Sequence, residues 1–253
     1  MKSLILSGLL ILSAYARAQN SPESTDSVIV IQKEVYKNEL KEGLFKSLPI
    51  IAVGTIGTFT NKLINRYEFK EERDNKFQNF HTHVDNYLQY APAALMYGMN
   101  ILGFKGKHNI QKQSLLLLKS EMLTEAIVYP LKKFTRVMRP DGSASNSFPS
   151  GHTAQAFAEA EVLRMEYGKS HPWISIGGYI AASVVGATRV LNNRHWVTDV
   201  IAGAGIGMLS TDIIYWMDNR KQSKKNNRIV FLPMVGLHGA AIYTSYNLGK
   251  VHI

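Results

Sequence analysis

Six stretches of the chain repeat apolar and small residues at spacings that keep one side of a helix apolar, approximately 45–60, 86–104, 113–134, 151–168, 172–189 and 196–217. Between them stand Lys105-Gly106-Lys107, the loop from Arg139 to Pro149 (RPDGSASNSFP), Ser170-His171-Pro172 and Asn192-Asn193, residues that end helices and turn chains. The pattern predicts an all-α fold, a six-helix bundle in one domain over 45–218. From Asn20 to about Lys41 the sequence is polar with no sustained period, which predicts an extended arm over 19–44. The run NRKQSKKNNR, 219–228, reads as a solvated basic linker. After Arg228, β-branched and aromatic residues punctuated by glycine and proline predict a short hairpin in the tail, 219–253.

The first residues, MKSLILSGLLILSAYARAQ, have one lysine, an apolar run from Leu4 to Leu12 and the small-x-small triplet Ala16-Arg17-Ala18. This is the pattern of a secretory signal cut after Ala18, since the apolar run falls far short of the ~20 residues that a span needs. Cutting it leaves 27 basic and 19 acidic residues, net +8. Such a chain favours anionic partners. Nucleic acid is excluded, because export removes the chain from it and no basic stripe interleaved with aromatics is present. There is no cysteine, which excludes thiol catalysis and Cys-ligated zinc.

Three short patterns carry candidate chemistry. Lys132, Arg139 and Pro140 stand as K-x6-RP at the end of the third apolar segment and in the loop after it, two cations placed to clamp an anion. Pro149-Ser150-Gly151-His152 opens the fourth, with Ser150 near the N-cap and Gly151 where backbone approaches something closely. A helix start of this kind offers free N–H groups and the positive end of a dipole to a phosphate. Arg189, His195 and Asp199 follow as R-x5-H-x3-D. His195 and Asp199 are four apart and share a helix face, so the carboxylate can hold the second nitrogen of the imidazole and sharpen it as a nucleophile. His81, His83 and Asp85 in FHTHVD have metal-binding residue types, but they lie in a charged, solvent-like stretch without matching partners. His108, His171, His238 and His252 have no assigned role.

In this order and this closely spaced, the three patterns resemble the motifs of the type 2 phosphatidic acid phosphatase superfamily, over about residues 113–217. The serine usual before the third-motif arginine is Thr188 here, which keeps the hydroxyl. The resemblance implies a helical bundle of the PAP2 and acid phosphatase type, with neither cofactor nor metal. It implies that His195 attacks phosphorus, Asp199 orients it and His152 protonates the leaving oxygen. Lys132, Arg139, Arg189, the Ser150 hydroxyl and the Gly151 N–H would hold the equatorial oxygens. Phosphoryl transfer demands positioning and positive charge above all, and three cations can stand in for a metal.

The expected substrate is a phosphorylated lipid of the cell envelope, with a membrane surface as partner; a soluble phosphate ester, cleaved by a periplasmic acid phosphatase, is the alternative. A vanadate-dependent haloperoxidase would share the pocket but needs a larger scaffold than this length allows. If all six segments crossed a membrane after a cut signal, the catalytic loops would face inward. An outward, periplasmic site therefore requires one segment not to cross, and 45–60 has the shortest apolar run, about 14 residues. The segment after His152 combines Glu159, Glu161, Arg164 and Glu166 with an apolar stripe, which predicts a water-facing amphipathic helix.

Overall fold

A computed structural model describes the backbone of residues 25–60, 63–226, 229–236 and 239–246, and side chains within 38–60 and 63–221. The signal sequence and its cut after Ala18 lie outside the described residues. The described residues from Thr25 to Asn38 are helical and belong to one unit of the chain; the packing and the site described below lie in the second, from Glu39 onward.

Eight helices are found among the described residues: α1 (Thr25–Thr60), α2 (Arg66–Lys76), α3 (Val84–Leu88), α4 (Ala91–Ile101), α5 (Ile110–Thr135), α6 (Gly151–Tyr167), α7 (Pro172–Leu191) and α8 (Val197–Asn226). The expected count of six is corrected in two places, and the expected arm in a third. The polar stretch from Thr25 is helical and continuous with 45–60, so it is no extended arm. A charged segment between the first two apolar runs forms α2, started by Asn65, whose side chain accepts from the N–H of Tyr67. The run 86–104 breaks into α3 and α4, with Pro92 in the first turn of α4, where its missing N–H costs nothing. At the other end α8 runs to Asn226 and absorbs most of the expected linker. Beyond it, β1 (Ile229–Gly236) and β2 (Gly239–Tyr246) pair antiparallel.

α6 is the centre of the bundle, packed by α8, α7, α5 and α4. This corrects the expectation of a water-facing helix. Ala154, Ala156, Ala158, Ala160, Val162 and Leu163 are fully buried, and so are the carboxylates of Glu159, Glu161 and Glu166. Small residues let neighbours approach on every side, and each acid is met by a donor; burial, reinforced by the neighbouring Glu121, also raises Glu159 to about 8, so that it is buried neutral. Glu161 takes Lys46 Nζ at 3.0 Å, Arg164 Nε at 2.8 Å and the Tyr179 hydroxyl. Glu166 takes the His108 N–H at 2.8 Å and the Tyr215 hydroxyl at 2.7 Å. Glu159 accepts from the N–H of Ala93 at 3.1 Å and from Gln155 at 3.2 Å.

α8 reaches α6 through glycines one turn apart: a Cβ on Gly203 would lie 2.6 Å from the carbonyl of Ser150, and one on Gly207 would lie 2.1 Å from that of Ala154. Three segments are long and apolar enough to cross a membrane by length and composition: Asn38–Thr60, Pro172–Leu191 and Val197–Lys221. The first contains 45–60; residues 38–44 lengthen it to 23, so its short apolar run does not set it apart as the segment that stays out.

Candidate active site

The three sequence motifs meet at one end of α6. α5 ends because Arg136 takes a left-handed conformation, φ 48°, and turns the chain into the 137–149 loop. That loop is pinned by bonds from the Arg139 N–H to the carbonyl of Ala144 (2.9 Å) and from the Ser147 N–H to that of Val137 (2.9 Å). It is also tied to the third motif, since Trp196 Nε1 donates to the carbonyl of Met138 (2.8 Å) and Arg194 Nη1 meets Asp141 Oδ2 (3.1 Å). The Ser150 N–H donates to the carbonyl of Asp199 at 3.0 Å, which joins the second motif to the third by backbone alone.

Lys132, one turn from the end of α5, donates from Nζ to the carbonyl of Asn146 at 2.9 Å, and its Cε lies 3.7 Å from where a Cβ of Gly151 would stand. The glycine thus leaves room for the lysine beside the start of α6. Burial, reinforced by the charge of Arg139, lowers the Lys132 ammonium to about 8. Burial also lowers Arg139, with Arg194 and Arg189 adding to it. Cations crowded together and drained of water are destabilised until an anion joins them. Arg139 Nε and Arg189 Nε are both buried without a protein partner. Ser150 caps α6 by position, but its hydroxyl pairs with that of Thr153 at 2.9 Å instead of a backbone N–H.

His195 is only 2% exposed. Its Nδ1 lies 3.7 Å from Asp199 Oδ2, an ion-pair distance longer than a hydrogen bond. That oxygen accepts from the Ser147 hydroxyl at 2.5 Å and from the Trp196 N–H at 3.0 Å, so Asp199 also caps the start of α8. Ser147 Oγ is 3.5 Å from Nδ1, leaving Nε2 as the ring nitrogen open to a ligand. Burial pulls His195 down to about 4, against the opposing pull of Asp199, so the ring is neutral and nucleophilic at neutral pH. His152 is likewise lowered to about 4, by burial first and the charge of Arg189 second.

Three residues outside the motifs complete this wall. Ser147 bonds Asp199; Asp85 accepts from Arg189 Nη1 at 2.5 Å; and Asn86 Oδ1 lies 3.0 Å from His152 Nε2. Within FHTHVD, His81, His83 and Val84 are exposed, as the charged stretch predicts, and Asp85 alone is buried, at 1% exposure. His81 and His83 stack on one another, edge to face at 4.8 Å, and among the described residues no group of three or more metal-ligating side chains gathers. Nothing in the sequence marks these residues: Ser147 is one of three serines in a loop, and Asp85 lies some hundred positions before its partner.

A helical bundle that collects three cations, two histidines and a helix start at one end defines a class of anion-binding site suited to phosphoryl groups. Residues 113–223 match the model of the PAP2 superfamily, and this stretch of the chain is a PAP2 superfamily domain. The chain is 36% identical over 184 residues to the lipid A 1-phosphatase of Porphyromonas gingivalis, covering 71% of this chain and 40% of that protein. It is 33% identical over 103 residues to phosphatidylglycerophosphatase B of Bacillus subtilis, covering 36% of this chain and 50% of that one. The chain therefore spans half or less of the length of these relatives. The crystal structure of a transmembrane PAP2-type phosphatidylglycerolphosphate phosphatase from Bacillus subtilis shares the fold, with a TM-score of 0.53 at 20% identity over 70% of this chain and 96% of that one.

Proposed function

We propose that the chain is a metal-independent phosphatase that removes phosphate from envelope lipids through a phosphohistidine on His195. The observation that carries this is the pair of partnerless buried guanidinium nitrogens, Arg139 Nε and Arg189 Nε, beside Lys132 at the start of α6. A buried donor left unmade costs about 1–3 kcal/mol, and phosphate oxygens would satisfy both. His195 Nε2 attacks phosphorus as the bond to the leaving oxygen breaks, and His152 gives that oxygen its proton. Water then attacks the phosphohistidine, the P–N bond breaks, His152 takes the proton from the water, and inorganic phosphate leaves. Lys132, Arg139, Arg189, Ser150 and the Gly151 N–H hold the equatorial oxygens, and Asp199 steadies the His195 cation.

A lipid substrate is supported by the names of the two relatives, both lipid phosphatases, and by exposed apolar side chains such as Phe45, Trp173, Ile180 and Phe134 on α1, α7 and α5. Export by the N-terminal signal, with the site facing the periplasm, belongs to the same proposal. The test is quenched-flow trapping with labelled phosphatidate and labelled aryl phosphate. An acid-labile phosphoprotein should form in the parent and be absent from His195→Ala. Label undiminished in that variant, or activity abolished by chelator and restored by Mg²⁺, would overturn the mechanism.

A further inference from the structure

We propose that Asp85 and Asn86, adjacent in α3, are positioning residues for the phosphoryl-transfer site: Asp85 sets the guanidinium of Arg189 and Asn86 sets the ring of His152. The inference rests on the roles given above to those two residues. The Thr82 N–H donates to Asn192 Oδ1 at 2.9 Å, and Asn192 Nδ2 donates back to the carbonyl of Thr82 at 2.8 Å and to Asp85 Oδ1 at 3.3 Å. Residues 82–85 are thereby fixed to the C-terminal end of α7, just beyond Arg189. Arg73 braces the same end, donating from Nε and Nη2 to the carbonyl of Leu191 at 2.9 and 2.6 Å.

On this rigid mount the Asp85–Arg189 pair is buried on both sides, with side-chain exposures of 1% and 9%. A buried ion pair is a poor way to gain stability, because desolvation offsets its attraction. It does fix a plane: Asp85 Oδ2 holds Nη1, and Nε is left without a protein partner. A single carboxylate thus settles which part of the guanidinium is spent on the protein and which is kept for an anion.

Asn86 does the equivalent for His152. With its Oδ1 accepting from Nε2–H, Nδ1 is the nitrogen left to face the leaving oxygen. When the ring carries its second proton, that proton sits on Nδ1 and passes to the leaving oxygen, and the neutral ring that remains still bonds Asn86. An uncharged amide suits this place, since a carboxylate there would stabilise the imidazolium and weaken it as an acid.

Steady-state kinetics on the purified full-length chain in detergent test both halves, with short-chain phosphatidate as the alkyl substrate and p-nitrophenyl phosphate as the aryl one. Asn86→Ala should lower kcat with the alkyl substrate by about tenfold or more and with the aryl substrate by less than about threefold, as loss of leaving-group protonation requires. Retained aryl activity also shows that the variant folds. The double variant Asn86→Ala/His152→Ala should be no slower on the alkyl substrate than His152→Ala alone, since a residue acting only through His152 has nothing left to position. Equal losses on both substrates, or additive losses in the double variant, would overturn the role of Asn86. Asp85→Asn keeps the shape and removes the charge; it should raise KM for both substrates and weaken vanadate inhibition by about tenfold, with kcat changed less. Unaltered vanadate inhibition would refute the role of Asp85. If His152→Ala alone slows both substrates equally, His152 is not the acid, and the failure lies in the mechanism beneath this inference.

Discussion

His195 and His152 share a direction of shift, yet the proposed mechanism needs them in opposite protonation states, and a bound phosphate would resolve this. Both are neutral in the free protein, lowered to about 4 mainly by burial, with nearby cations adding to it. Neutrality suits the nucleophile. The acid must gain a proton, and a bound phosphate supplies the reason, because its negative charge opposes the repulsion that Arg189 and Lys132 exert on His152. Two limbs in the pH dependence of kcat/KM follow. As pH falls through about 4, His195 is protonated and its lone pair is lost. As pH rises through about 8, Lys132 loses its charge and phosphate binding weakens. The expected profile is a bell bounded near these values, measured with an aryl phosphate whose own ionisation is known. Lys132→Arg should move the alkaline limb upward, and an unmoved limb would show that another group sets it.

At the scale of elements, the site depends on how closely α8 lies on α6. α8 begins two residues after His195 and carries Asp199, and α6 begins at Gly151 and carries His152, so the distance between the two helices sets the distance between the motifs. Gly207→Val would drive a side chain into the carbonyl of Ala154, costing on the order of 1–3 kcal/mol by overpacking. It should depress both the melting temperature and activity. Gly177→Ala on α7 meets nothing within 4 Å and should raise stability by about 0.5–1 kcal/mol with activity unchanged, which makes it the control in the same melting experiment. The motifs were legible in the sequence because each is local: a cap, a glycine and a histidine within four residues, or His195 and Asp199 on one face of a helix. Asp85 and Asn86 were not, since their meaning lies in Arg189 and His152, partners far away in sequence that only the packing of α3 against α6 and α7 brings near. The buried character of α6 is hidden in the sequence for a related reason. Glu159, Glu161 and Glu166 look like a wet face until the Ala93 N–H arrives for Glu159, Lys46 and Tyr179 for Glu161, and His108 and Tyr215 for Glu166.

At the scale of the molecule, the described residues turn charge inward and many apolar side chains outward. Charged side chains are paired around the central helix, while α1, α5 and α7 turn Phe45, Leu48, Leu118, Met122, Phe134, Trp173, Ile176 and Ile180 outward. Water would penalise such a surface, at about 25 cal/mol for each Å² of apolar area left exposed, whereas hydrocarbon would not. The three segments with the length and composition of spans are α7 and parts of α1 and α8, and two of the outward-facing sets lie on them. The central helix tolerates Glu159, Glu161 and Glu166 because each has donors at hydrogen-bond distance, the condition under which ionisable groups persist in a bilayer. The expected outcome of fractionation is retention of the full-length chain in membranes through a carbonate wash, with release only by detergent. Lys46→Met tests the link between the two features. It strips Glu161 of one partner while keeping Arg164 and Tyr179, so the chain should remain in the membrane but melt at a lower temperature in detergent, since leaving a buried charge short of a partner is destabilising. Recovery of the parent in the osmotic-shock fluid would show instead that the outward apolar faces are covered by protein, and that the phosphate ester it acts on is soluble.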